Sequence, residues 1–335
     1  MSDVSDIIII GGGPVGMYGA FYSGMRGMSC KIIDSLPQLG GQLAALYPKK
    51  YIYDVPGYTK VLAEDLVSEL EKQATQFDPE VCLNEKAVSL AYDNEEQTVI
   101  KLVTEGGRIH YAKTVVIAAG NGAFMPRKLD VQRVDELEGC GLHYFVKDPN
   151  IFKDKEILII GGGDSAIDWA LNLESVTKKA TLIHRTDKFR AHEDSVEKLM
   201  NSSIDVKTPF EVKTFHGEDH VEGVTLYNTE TAEEIELTLD AVICNIGFIT
   251  NLGPIENWGV VLEGNNIKVN ETLSTNLTGV WGAGDIVTYP GKLKLISTGF
   301  ADAAVAVNMA KHFVDPKSKV YPGKSSAKPK QFKVD

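Results

Sequence analysis

Cysteine is scarce in this chain and nowhere paired. Cys30, Cys82, Cys140 and Cys244 lie far apart and form neither a Cys-x-x-Cys pair nor a metal-ligand cluster. This spacing excludes a dithiol relay, which needs two neighbouring thiols, and it fits free thiols in a reducing compartment. No apolar run approaches the length that spans a bilayer. The acidic start Met1-Ser2-Asp3-Val4-Ser5-Asp6 carries neither the basic region nor the apolar core of a secretion signal, so a cytoplasmic location and no membrane association are expected. Positive charge is in the minority. With 34 Lys and Arg against 46 Asp and Glu the net charge is −12, which disfavours nucleic acid as a partner. His143, His184, His192 and His216 fit no triad and no metal spacing. No metal is expected, and no side chain is assigned a catalytic proton transfer.

What the chain does contain is one motif twice. Ile7-Ile8-Ile9-Ile10 runs into Gly11-Gly12-Gly13-Pro14-Val15-Gly16, and Lys31-Ile32-Ile33 then leads to Asp34. Ile157-Leu158-Ile159-Ile160 runs into Gly161-Gly162-Gly163-Asp164-Ser165-Ala166, and Thr181-Leu182-Ile183 then leads to His184-Arg185. Each reads as strand, tight glycine turn, helix, strand. In such a unit Gly11, Gly13 and Gly16, or Gly161, Gly163 and Ala166, let the backbone approach a pyrophosphate that sits on the N-terminus of the following helix. An acid after the second strand accepts hydrogen bonds from a ribose diol, whereas a base there pairs with a 2′-phosphate. Asp34 therefore points to FAD, and Arg185, with Arg190 near it, to NADP(H).

A length of 335 residues suits two domains, and 43% hydrophobic with 24% charged residues is an ordinary globular balance. The spacing of Leu62, Leu66, Leu70, Ala74 and Phe77 predicts a helix over 61–77. A hairpin is expected from Val99–Val103 to Ile109–Tyr111, then a separate buried strand from Thr114 to Asn121. A second hairpin pairs Val221–Leu226 with Glu234–Leu239, and Ala241–Gly247 repeats the pattern of the run at Thr114. After Gly282-Ala283-Gly284-Asp285 a last helix is expected from Phe300 to Phe313. The fold class is α/β, with two Rossmann-like dinucleotide-binding domains. One, 1–117 with 249–335, binds FAD; the other, 118–248, is inserted in it and binds NADPH. The crossings 121–126 and 247–251 are candidate hinges. Lysines crowd the tail beyond Pro316, a pattern of a solvated end.

These motifs resemble the two-dinucleotide-binding flavoproteins, and the layout resembles the thioredoxin-reductase branch without its Cys-x-x-Cys. The long stretches Ile33–Gln42, Ala45–Pro48, Tyr51–Asp54, Gly120–Phe124 and Gly162–Ala170 are similar to the thioredoxin-reductase-like bacterial ferredoxin–NADP reductases over nearly the whole chain. The resemblance implies that Asp34 takes the adenosine ribose of FAD, that Gln42 and Tyr47 line the flavin end, and that Val88 meets adenine through its backbone. Phe124, Asp285 and Ser326 complete the pocket by the same resemblance. It also implies hydride transfer from NADPH to FAD, single-electron transfer to ferredoxin or flavodoxin, and a homodimer. Two features depart from the family pattern: Thr186 stands where relatives have a second arginine, and Lys324 where they have a tail histidine. The competing readings are an NAD(P)H oxidase or monooxygenase and a flavin-stabilised regulatory protein. For docking of an acidic carrier, Lys49, Lys50 and the tail lysines are the candidate basic surface.

Overall fold

The structure is a computed structural model that describes residues 4–120 and 122–323. The strand Val4–Ile10 (β1) owes its place to the isoleucine run, in which Ile7, Ile8 and Ile9 are fully buried. A strand apolar on both faces belongs inside a covered parallel sheet. β1 pairs in parallel with Cys30–Ile33 (β2) on one side and with Ile109–Ile117 on the other. Helix Pro14–Met25 (α1) makes the crossover between β1 and β2. It starts on Pro14, whose fixed φ and missing N–H suit the first helical position. The sheet order is Glu80–Cys82, β2, β1, Ile109–Ile117, Ile100–Thr104, Ala87–Tyr92. Val280–Gly282 returns from far along the chain to pair in parallel with Ile109–Ile117.

The arm expected to end at Tyr111 and the strand expected to begin at Thr114 are one strand. Ala112-Lys113 contains no turn former, so the chain runs straight on and changes neighbours instead. Residues before Lys113 pair antiparallel with Ile100–Thr104, and Val115 to Ile117 pair with the returning strand. The helix expected over 61–77 is α-helical only at Ala63–Ala74, with a 3₁₀ turn at Thr75–Phe77. The last helix spans Ile296–Val314 and so starts four residues earlier than its apolar spacing indicated. It packs on α1 and covers the same sheet.

The second unit repeats the plan. Its parallel sheet runs Leu142–His143, Ala241–Cys244, Glu156–Ile160, Lys179–Ile183, Asp205–Lys207. Helix Asp164–Leu173 follows the glycine turn. A separate antiparallel sheet joins Phe210–His216, Gly223–Asn228 and Glu234–Thr238. The chain divides into compact units at Ala123/Phe124 and Ile249/Thr250, beyond the end of the strand Ile109–Ile117. Ala123–Pro126 and Phe248–Asn251, at the two crossings, pair with each other. Among the described residues no helix is long and apolar enough to cross a membrane.

Candidate dinucleotide sites

In the first turn the three glycines do different things. Gly11 has φ +107°, and a Cβ there would stand 2.4 Å from the Ala118 carbonyl oxygen. A Cβ on Gly16 would stand 1.8 Å from the Gly11 carbonyl oxygen, so α1 lies against the turn as only glycine permits. Gly13 is the open one: a Cβ would meet nothing nearer than the Gly41 Cα at 3.9 Å. The space beside Gly13, at the N-terminus of α1, suits a pyrophosphate.

Asp34, just past the end of β2, is 8% exposed. Its Oδ1 accepts the Leu36 N–H at 2.7 Å and its Oδ2 accepts the Gly12 N–H. Burial pushes this carboxyl above its ordinary value, while the two backbone hydrogen bonds pull it down. Each carboxylate oxygen has a second lone pair, so the group can still accept from a ribose hydroxyl. The chain then folds back on the turn. The Gly40 N–H donates to the Gly12 carbonyl at 2.8 Å. Gln42, which opens the short helix Gln42–Leu46, lies beside Gly120, where a Cβ would be 3.7 Å from its Nε2.

Tyr47 follows that helix, and burial together with the nearby Asp285 and Asp54 carboxylates pushes its phenol up to about 12. It is therefore a neutral, half-buried ring beside Asp285. Asp285 is held on a turn built by close packing. Val15 of the glycine turn fills the space that Cβ atoms on Gly284 and Gly299 would need, at 3.1 and 2.5 Å. Burial raises the Asp285 carboxyl, and Lys292 and Lys294 oppose that rise. Val88 sits at a bulge where Ala87–Tyr92 loses register with Ile100–Thr104, and its carbonyl accepts the Trp258 indole N–H at 3.1 Å. That bond anchors the Val88 backbone and leaves the carbonyl oxygen a second lone pair. Gly11, Gly13, Gly16, Asp34, Gln42, Tyr47, Val88 and Asp285 all belong to one unit. The Phe124 side chain and Ser326 lie outside the described residues, as do Lys324 and the lysines after it.

In the second unit a Cβ on Gly161 would stand 2.3 Å from the Asn245 carbonyl oxygen, and Gly163 again faces open space. The helix follows with Ala166 at the third position, fully buried. The Arg190 N–H donates to the Gly162 carbonyl at 2.7 Å, which ties the basic segment to the turn. Arg185 and Arg190 are exposed, and neither makes an ion pair among the described residues. His184 lies under the turn, in the space a Cβ on Gly162 would need, and stacks on Phe189 at 5.5 Å. Asp164, at the start of the helix, turns its carboxylate to the His192 N–H at 2.9 Å.

The family of pyridine nucleotide-disulphide oxidoreductases matches this chain over residues 5–310. A ferredoxin–NADP reductase of Geobacillus kaustophilus is 52% identical over 326 residues, 97% of each chain. A second such enzyme, ferredoxin–NADP reductase 2 of Chloroherpeton thalassium, is 51% identical over 97% of this chain and 96% of its own. The chain belongs to the ferredoxin–NADP reductase family. A solved thioredoxin reductase from Lactococcus lactis shares 26% identity with a TM-score of 0.81, covering 92% of this chain and 99% of its own. This ferredoxin–NADP reductase family member has the thioredoxin-reductase fold without a Cys-x-x-Cys pair, and of its cysteines only Cys140 is exposed.

Sequence reasoning did not find the parts of His184, Asp164 and Trp258. Only His184 carried a signal, since it immediately precedes Arg185. Burial, then Arg185 and Arg190, lower the His184 pKa; burial and then Lys155 lower that of His143. Both rings bind fewer protons in the folded than in the unfolded chain, so their contribution to stability is complete above about 6.5 and is lost as pH falls through the folded values. The urea midpoint is expected to drop between about pH 7.5 and pH 5.5, a range that brackets the ordinary histidine pKa. His184→Gln should flatten that drop. An equal drop in the variant would refute the assignment to His184.

Proposed function

We propose that this protein is an FAD-dependent NADPH:ferredoxin oxidoreductase. The first unit holds FAD through Gly11, Gly13, Gly16, Asp34, Gln42, Tyr47, Val88 and Asp285, with Phe124 and Ser326 completing the pocket. The inserted unit holds NADPH through Gly161, Gly163, Ala166, Arg185 and Arg190. The observation that carries this reading is the pair of turns with matching open glycines, Gly13 and Gly163, followed by a buried acid in one unit and an exposed arginine in the other. The kinship with enzymes named ferredoxin–NADP reductase agrees with it. FAD, when bound, supplies the conversion of a two-electron hydride into single electrons for ferredoxin or flavodoxin. The protein binds, orients and excludes water: Asp34 accepts from ribose, Tyr47 offers a neutral apolar face, and the helix N-termini meet the pyrophosphates.

We place the enzyme in the cytoplasm as a homodimer formed by its FAD units. Purified protein should be yellow with non-covalent FAD, and NADPH should bleach it without oxygen. An acceptor panel of ferredoxin, flavodoxin, oxygen and a disulfide tests the rest. Turnover with oxygen alone would put an oxidase in its place, and a flavin that NADPH does not bleach would favour a regulatory protein.

Docking of an acidic ferredoxin by a net-negative enzyme needs local positive charge. Lys49 pairs with Glu64 at 2.6 Å, and Lys50 lies 5.9 Å from the Tyr47 ring centroid at the flavin end. Ferredoxin reduction is expected to fall as salt passes about 0.1 M, where the screening length is about 10 Å. Charge reversal at Lys49 and Lys50 should reproduce the fall without altering flavin content. Ferredoxin rates indifferent to salt and to both substitutions would remove this surface from the reading.

A further inference from the structure

Behind Asp285 lies a buried ion pair with no part in the dinucleotide contacts described above. Asp302 and Lys292 have side chains only 5% and 4% exposed, and Lys292 Nζ contacts Asp302 Oδ2. The same Oδ2 accepts the Gly284 N–H at 3.0 Å, and Oδ1 accepts the Tyr289 hydroxyl at 2.8 Å. Lys292 Nζ is also 5.5 Å from the Tyr289 ring centroid. A buried salt bridge is a weak device for stability, because matched apolar residues often serve as well. Its position is more informative. Asp302 lies in the second turn of the helix Ile296–Val314, and Gly284, which it holds, immediately precedes Asp285.

The electrostatics lead to the same place. Lys292 favours the ionised form of Asp285 and Asp302 disfavours it. Two neighbouring carboxylates with no cation between them would lead one to take up a proton. Lys292 therefore lets Asp302 hold the loop by its backbone without neutralising the acceptor that the loop presents.

We propose that Lys292 and Asp302 are positioning residues of the flavin site, a charge-compensated clamp that fixes the Gly284–Asp285 loop and balances the charge around bound FAD. This rests on the reading of the first unit as the FAD site. Removing the ammonium leaves surplus negative charge, which disfavours reduced, electron-rich flavin; removing the carboxylate does the opposite. In the holoenzyme, Lys292→Met should lower the flavin midpoint potential and Asp302→Asn should raise it. The double variant, with net charge restored, should return close to wild type. Both single variants should release FAD about tenfold faster or more, as expected when one partner of a buried charge pair is removed. A merely structural role would loosen FAD without shifting the two potentials in opposite directions.

If either charge variant fails to fold, Tyr289→Phe removes a single hydroxyl from the clamp and should still release FAD measurably faster at an unchanged potential. Release at the wild-type rate would overturn the proposal. Folded single variants that share the wild-type potential and release rate would overturn the clamp alone, with FAD still bound. Wild-type protein that cannot be reconstituted with FAD would overturn the functional reading and the clamp together.

Discussion

Gly16→Ala is expected to yield a destabilised protein without flavin, whereas Gly13→Ala is expected to yield a stable one without flavin. The two positions are three residues apart and differ in what a methyl group would meet. At Gly16 it would stand 1.8 Å from the Gly11 carbonyl oxygen, a backbone atom that cannot rotate away. α1 would have to move off β1, and overpacking of this kind costs about 1–3 kcal/mol. At Gly13 the backbone is extended, with φ −71° and ψ −177°, so alanine brings no strain, and the nearest protein atom is 3.9 Å off. The methyl would instead occupy the space assigned to the pyrophosphate. With the pyrophosphate displaced, FAD affinity should fall in both variants. Thermal unfolding of the apoproteins separates them: Gly13→Ala should match wild type and Gly16→Ala should not. A yellow Gly13→Ala protein would mean that the cofactor does not pass this turn.

The turns were legible because their chemistry is local. Four isoleucines, glycines at fixed offsets and an acid after the next strand all fall within a short segment, and each position has one physical reason for its residue. The strand Ile109–Ile117 was read as two because its change of neighbours at Lys113 depends on Val280–Gly282, more than 160 residues away in the sequence, and leaves no local trace. The start of the last helix at Ile296 was not legible because no capping side chain marks it and its opening residues do not follow the later apolar period. His184 was seen as the residue before Arg185, yet its place under Gly162 follows from a ring filling a void that only the folded turn creates. Charge was the least legible property. Lys49 looked available until Glu64 was found beside it, and nothing local in the sequence pairs Asp302 with Lys292 and Tyr289.

Arg185→Ala is expected to erase most of the preference for NADPH over NADH. Thr186 offers no charge, and His184 is held toward its neutral form by burial and by Arg185 itself, so Arg185 carries the charge at the end of this strand. The exposed guanidinium makes no ion pair among the described residues, so it meets a 2′-phosphate without first giving up a protein partner. A hydrogen bond to a charged group contributes about 1.5–3 kcal/mol, which corresponds to about 10- to 100-fold in kcat/KM for NADPH. NADH lacks the phosphate, and its kcat/KM should hardly change. Arg190→Ala should act in the same direction, and it keeps the backbone N–H that anchors the segment to Gly162. If Arg190 shares the phosphate, the double variant should lose more than either single one. The loss should appear in the KM for NADPH and shrink at high salt, where an exposed charge is screened. Equal losses for NADPH and NADH would show that Arg185 shapes the turn rather than reading the phosphate, and the cofactor assignment of the second unit would then have to rest on other residues.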